Sequence, residues 1–327
     1  MKAIKFFAIT AMAAAMITSC SSEDELSQSN YPSDNIIRVT AGVNNAKTRA
    51  EGQGTEMDKD FSLTIVNKNA PKYTYTDKVF SKKSGDWACS ETLLWQKSDA
   101  LVDIVAFAPA QTGKFNGVYA DGSIQPITYS VADDQSTKSD NNDLLYYYAK
   151  DFNPGTSLDK GKLNIQFNHA FCMIDINVTL GTEFNKPSIP TTSPIIKVTL
   201  GGTKIAANVN VTNAASVVTA SGEATATDIT TTNGSFTTAA DPEKNAISRF
   251  SCIAIPQTVG ANTFKVSLMT AGKRYEWTSA EPVELKSGYK YTLELSMGND
   301  VVLLKGGSIS ATPWTEAEIS DNTLETE

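Results

Sequence analysis

From residue 165 to residue 180 apolar and polar side chains alternate: Ala170, Cys172, Ile174, Ile176 and Val178 fall on one face, and His169, Phe171, Met173, Asp175 and Asn177 on the other. A period of two belongs to an extended strand with one face in a core, and a helix cannot satisfy it. The second face begins apolar and becomes polar, as if the strand leaves cover partway. Similar stretches recur at 35–43, 61–66, 73–80, 102–108, 195–200, 250–255, 263–270, 289–297, 301–304 and 308–314. Between them lie turn signals such as Ser84-Gly85-Asp86, Asp121-Gly122, Gly201-Gly202, Ala271-Gly272 and Gly306-Gly307. No long stretch has a helical period. Many short strands punctuated by Gly, Asn and Asp predict an all-β chain built as sandwiches, not a parallel α/β sheet.

The N-terminus needs separate treatment. Lys2 and Lys5 precede the apolar run 6–16, and Ile17-Thr18-Ser19 leads into Cys20. A basic start, a short apolar core and small residues before a cut make 1–19 a signal peptide. The run is too short for a bilayer, which needs ~20 residues. Cysteine directly after Ile-Thr-Ser resembles the lipobox of bacterial lipoproteins. That implies the lipoprotein export machinery as a partner, acylation of Cys20 and attachment to a membrane through acyl chains. Ser21-Ser22-Glu23-Asp24-Glu25 resembles the surface-export signal of lipoproteins from Bacteroidetes-type bacteria, which implies an outer-membrane and then cell-surface location. Residues 20–34 are polar without an apolar period and are expected to form a flexible tether.

About 300 residues remain, a length that suits two medium domains. Pro187, Pro190 and Pro194 crowd the polar stretch 181–194, and prolines at that density avoid central strands. The expected division is an N-terminal sandwich over 35–183 and a C-terminal one over 184–327. Residues 206–240, rich in Thr, Ala, Ser and Asn, are expected to form exposed edge strands and long loops.

Several function classes find no support. The formal charge is −8 with no basic patch, which argues against nucleic acid as a partner. Once Cys20 is acylated, Cys89, Cys172 and Cys252 allow one bridge at most, so the core must be held by apolar burial. The single histidine, His169, cannot supply a multi-His metal site, and no G-x-S-x-G elbow accompanies it. It is expected to be a structural residue packed beside Phe171. Asp133-Asp134 and Asp140-Asn141-Asn142-Asp143 gather oxygen ligands, but their spacing does not match a calcium-binding EF-hand and is that of a solvated turn. Along a strand Tyr146 and Tyr148 would share one face and Tyr147 take the other, which favours cross-strand packing over carbohydrate stacking. Trp87, Trp95, Trp277 and Trp314 are dispersed. No catalytic residue, cofactor site or metal site is expected, and the chain is read as a non-enzyme.

After the first strand comes a polar, Gly-containing loop over 44–54, of the kind proteases nick. It holds Lys47-Thr48-Arg49-Ala50. Further on stand Asp143-Leu144-Leu145-Tyr146, Phe167-Asn168-His169-Ala170, Ser287-Gly288-Tyr289-Lys290-Tyr291 and Pro313-Trp314. Together with Cys20, in this order and spacing, they resemble the fimbrillin (type V pilin) family across essentially the whole mature chain. The resemblance implies two tandem transthyretin-like β-sandwich domains and a fimbrial subunit that supports adhesion. It also implies an Arg-specific protease that cuts between Arg49 and Ala50, and other fimbrial subunits as partners. The cut would release the first strand, with Ile37, Val39, Ala41 and Val43 on its inward face. A C-terminal strand from a neighbouring subunit would then fill the groove. The best donor segment is 301–314, with Val301, Val302, Leu303, Leu304, Ile309 and Trp314.

Burial makes the order of events sensible. Each inward side chain of a resident strand gains ~1.5–3 kcal/mol, and an incoming strand offers a similar gain. A covalent tether gives the resident strand an effective concentration that can reach ~mM, so exchange requires the cut. One departure from the family's pattern is the tail after Trp314, where Glu316, Glu318, Asp321, Glu325 and Glu327 make a poor groove-filling strand. Stalk, tip and accessory roles therefore stay open. The rival reading is a monomeric surface glycan-binding lipoprotein that uses loop aromatics.

Overall fold

The computed structural model describes residues 30–44, 55–57, 59–110, 123–137, 142–307 and 309–314. The all-β expectation holds. The first strands are β1 (Val39–Val43), β2 (Thr55–Glu56), β3 (Phe61–Val66), β4 (Tyr75–Lys83), β5 (Asp86–Cys89), β6 (Val102–Ala108), β7 (Ile127–Ser130), β8 (Leu145–Phe152) and β9 (Leu163–His169). Eight of these nine form one sheet in the order β2-β1-β9-β8-β6-β3-β4-β5, and β7 leaves for another. Alternate residues of β9, β6 and β3 fill a first core, with Phe61 stacked on Phe80 at 5.3 Å and edge-on to Phe167 at 5.5 Å. The β6 sequence Val-Asp-Ile-Val-Ala-Phe-Ala is buried along its whole length. Ile104, Ala106 and Ala108 face the first core, whereas Val105 and Phe107 face a second. The apolar run Ile104–Ala108 is the signature of a strand covered on both sides.

The second set is β10 (Cys172–Leu180), β11 (Ile195–Gly201), β12 (Ala206–Val209), β13 (Val218–Ala220), β14 (Ile229–Thr230), β15 (Thr232–Thr237) and β16 (Ile247–Ala254). It continues with β17 (Gln257–Val259), β18 (Lys265–Thr270), β19 (Arg274–Thr278), β20 (Val283–Leu285), β21 (Tyr289–Met297), β22 (Val302–Leu304) and β23 (Ser310–Pro313). One sheet runs β15-β16-β10-β21-β22, with β23 also on β21. Opposite it lie β14-β11-β18-β19 and β13-β12-β7, and β17 pairs β20. Cys172, Ile174, Ile176, Val178 and Leu180 line the second core between these layers, as the alternation requires. Strands β13, β14 and β15, all from the small-residue stretch 206–240, each end a sheet, as expected of weak strand formers.

Three differences from the sequence reading have physical reasons. The stretch 165–180 is two strands, not one: β9 stays in the first sheet, β10 enters the second, and the chain changes sheets at Ala170-Phe171. The inward face shifts from odd positions in β9 (Ile165, Phe167, His169) to even positions in β10 (Cys172, Ile174, Ile176), and the four consecutive buried residues 169–172 hide that shift in an apolar run. The sheet change therefore precedes the proline-rich stretch, and β10 lies ahead of the 183/184 division while packing with the strands beyond it. Residues 123–137, from the first half of the chain, belong to the second core. There β7 pairs β12, Ile124, Ile127, Tyr129 and Val131 are buried, and the Gln135 side chain bonds both Ile253 N and Ile253 O at 2.9 Å. The last tether residues are docked instead of loose, because Tyr31 packs on the first core and Asp34 pairs with Arg38.

Candidate functional site

The first strand is a core element set at the margin of its sheet. Ile37, Val39 and Val43 are 6%, 4% and 3% exposed, and Ala41 packs partly buried beside them. Before β1 begins, Ile37 N donates to Leu93 O at 2.9 Å and Trp95 N to Asn35 O at 2.8 Å, so 35–37 zip along 93–95. From Val39 onward β1 runs parallel to β9, with Val39, Ala41 and Val43 opposite Leu163, Ile165 and Phe167. Its other edge meets only the two-residue β2, at Gly42 and Val43. The strand thus contributes an apolar face to the core, while most of one backbone edge has no sheet partner among the described residues. Cys20, Arg49 and Ala50 lie outside the described residues, as do Asp140 and Asn141 of the acidic loop and the tail after Trp314.

The C-terminal candidates sit elsewhere. Val302 is buried in the second core, Leu304 and Ile309 pack against it, and Val301 and Leu303 are 49% and 58% exposed. Strand β22 pairs the end of β21 (Met297 with Val302, Leu295 with Leu304), and β23 pairs its start (Tyr289 with Pro313, Thr292 with Ser310). The 301–314 segment therefore covers the outer edge of its own β21 and does not touch the β1 groove. All four side chains of β23 are exposed, so little but the ladder holds it.

What sequence reasoning missed is that four motifs form one structure where the chain changes sheets. The His169 ring is buried, and its Nδ1 lies 3.1 Å from both carboxylate oxygens of Asp143. Ala170 N donates to Leu144 O at 2.8 Å. Ser287 Oγ donates to the carbonyls of His169 and Ala170 at 3.0 and 2.8 Å, and Gly288 N to Phe171 O at 2.9 Å. Gly288 has φ 71°, a left-handed turn that glycine adopts without cost. Trp314 N then donates to Gly288 O at 2.7 Å, and its ring stacks on His169 with centroids 3.7 Å apart and planes 13° off parallel. The expected neighbour of His169 was Phe171; its ring partner is Trp314. Beside the junction opens a cleft of about 930 Å³ lined by Asn44, Tyr146, Asn168, His169, Lys286 and Trp314 among others. Asn44, just after β1, and Trp314, just after β23, both line it.

The remaining candidates fall where strand alternation puts them. Tyr146 and Tyr148 pack toward the second core and Tyr147 toward the first. Burial raises the phenols of Tyr146 and Tyr147, and Tyr129 is pushed up to about 12 by burial first and the Asp143 charge second. Cys89, Cys172 and Cys252 are free thiols; Cys172 and Cys252 are fully buried in the second core, which drives their pKa upward. Asn142 Oδ1 accepts from Ala132 N at 2.8 Å, so this part of the acidic loop is used in holding the turn. Among the described residues no group of three His, Cys, Asp or Glu converges as a metal site, and no helix is long and apolar enough to cross a membrane.

Comparison with known proteins agrees with this arrangement. A family model described as fimbrillin-like matches residues 48–314. Among solved structures, a proposed cell adhesion protein from Bacteroides ovatus aligns with TM-score 0.61 and 15% identity, covering 86% of this chain and 99% of that one. One from Bacteroides uniformis aligns with TM-score 0.56 and 15% identity over 87% and 100% of the two chains. A fimbrial protein from Bacteroides vulgatus aligns with TM-score 0.54 and 16% identity over 86% and 99%. No curated protein matches the sequence. At such identities the structures speak for the fold alone, and the family model speaks for kinship: the chain belongs to the fimbrillin-like family.

Proposed function

We propose that this chain is a non-enzymatic structural subunit of a cell-surface fimbria that supports adhesion and assembles by strand exchange. In this reading it is exported as a lipoprotein through Cys20 and reaches the outer membrane on acyl chains. An Arg-specific protease then cuts after Arg49, β1 departs, and the 301–314 segment of a neighbouring subunit takes its place. Membership of the fimbrillin-like family supports the fimbrial role.

The single observation that carries the exchange is the combination found in β1: an inward apolar face, a parallel partner on one side, and almost none on the other. Three buried side chains at ~1.5–3 kcal/mol each give roughly 5–9 kcal/mol for keeping that groove filled. An empty groove is therefore costly, and a strand bearing apolar residues at alternate positions would be drawn into it. While β1 remains joined to residue 55 and beyond, no second chain can compete with it. Cutting the link makes the competition bimolecular. Addition of an extended segment to a sheet is a general mode of protein recognition, with the backbone supplying the ladder and the groove selecting alternate side chains.

The test is incubation of the purified, non-acylated precursor with an Arg-specific protease. The expected result is loss of the segment ending at Arg49 and ladders of subunits in unheated SDS gels. A chain that loses the segment and stays monomeric would refute strand exchange.

A further inference from the structure

Building on the strand-exchange reading, we propose that Trp314, seated on His169, is the latch that keeps the C-terminal strands on their own chain until β1 has left. The side chains of β23 are all exposed, so its attachment depends on the ladder at Tyr289–Thr292 and on the residue at its C-terminal end. That residue is Trp314, whose main chain bonds Gly288 O and whose ring lies flat on the buried imidazole. The seat is rigid: His169 is fixed through Nδ1 by Asp143 and through its carbonyl by Ser287.

The same stretch of β9 also carries the end of β1. Asn44 N donates to Phe167 O at 2.7 Å, and Asn44 Nδ2 donates to Asn168 Oδ1 at 2.8 Å, one residue from the latch seat. On its other side the end of β9 is held by β8 at only two positions, Leu145 with His169 and Tyr146 with Asn168. When β1 is removed, Phe167 and Asn168 lose these bonds on one flank, immediately before the residue on which Trp314 sits. Strand β23 is then free to leave β21, which starts the release of the segment from its C-terminal end. This sets an order in which the groove empties before the donor opens. A donor strand released while the groove was still occupied would present an unpaired edge with no correct place to go.

Trp314 acts through β23 and is a positioning residue. Its test is amide hydrogen exchange of the full chain before and after the Arg-specific cut, read at 289–292 and 310–313. Removal of β1 should speed exchange at both segments at least tenfold, while β10 and β16 stay protected. Trp314→Ala should give the fast exchange without any cut, and Trp314→Phe, which can still stack, should restore the slow rate. Unchanged exchange at 310–313 after verified loss of the N-terminal segment would overturn the latch. So would a Trp314→Ala change spread evenly over β10 and β16, which would mark an ordinary packing residue. A second variant, Thr292→Cys with Ser310→Cys, bolts β23 to β21 by a disulfide. Cut, oxidised protein should assemble at least tenfold slower than the same protein after reduction. Full-speed assembly with the bolt closed would overturn the latch, with strand exchange by another segment left standing. Opening of the strands as expected without any polymer would sink strand exchange and leave the latch.

Discussion

The substitution Val39→Ala probes β1 at one of its buried inward positions. Val39 is 4% exposed and faces Leu163 across the parallel ladder. Loss of two methyl groups costs about 0.8 kcal/mol each in transfer free energy, or about 1.6 kcal/mol together. A residual cavity raises the total to about 2–3 kcal/mol, because the surroundings relax only in part. At 1.4 kcal/mol per factor of ten, the cut strand should be lost roughly 30- to 140-fold faster. The measurement is the dissociation rate of a dye-labelled N-terminal segment after the Arg-specific cut, with the rate of ladder formation followed in parallel. Thr40→Ala is the control on the neighbouring, solvent-facing position. A surface change within about 0.5 kcal/mol leaves both rates within about threefold of the parent. If Val39→Ala lowers thermal stability yet leaves segment loss and assembly at parent rates, β1 is not the departing element and the reasoning fails.

Three further outcomes are tied to particular residues. Cys20→Ala should abolish incorporation of labelled palmitate in cells and move the protein from the detergent phase to the aqueous phase on partitioning. His169→Ala removes a buried ring and leaves the Asp143 carboxylate without its partner, a loss of about 2–4 kcal/mol that should lower the urea midpoint. Tyr129 has a folded pKa of about 12 against an ordinary value of 10.0. The folded chain holds this proton more tightly than the unfolded one, so its contribution is complete below pH 10 and is lost as pH rises through 12. Urea unfolding at pH 9, 10 and 11 should show a fall that Tyr129→Phe reduces.

Much of the fold was legible because a strand's period of two survives in the residue order. Cys172 to Leu180 and the Tyr146–Tyr148 alternation both came from that rule. Alternation reports that a side chain is buried but not which sheet buries it. That is why Ala170-Phe171 looked like the middle of one strand, and why 123–137 gave no sign that it crosses to β12. The candidate site divides the same way. Ile37, Val39, Ala41 and Val43 could be read as an inward face from spacing alone. The junction could not, since Asp143, His169, Ser287, Gly288 and Trp314 are joined by hydrogen bonds and ring contact between positions as much as 171 residues apart. Their short motifs were visible one by one. A polar group placed before a sheet change, a left-handed glycine after a serine and a terminal tryptophan become one site only when the backbone brings them together.

A three-dimensional reconstruction of the assembled fibre, at side-chain resolution in the channel beside β9, is the most direct examination of the whole account. The strand opposite Leu163, Ile165 and Phe167 should trace to a neighbouring subunit, with Val39 to Val43 of the resident chain gone. Continuous density from Ile37 through Val43 of the same chain, in fibres that nonetheless hold together, would contradict it.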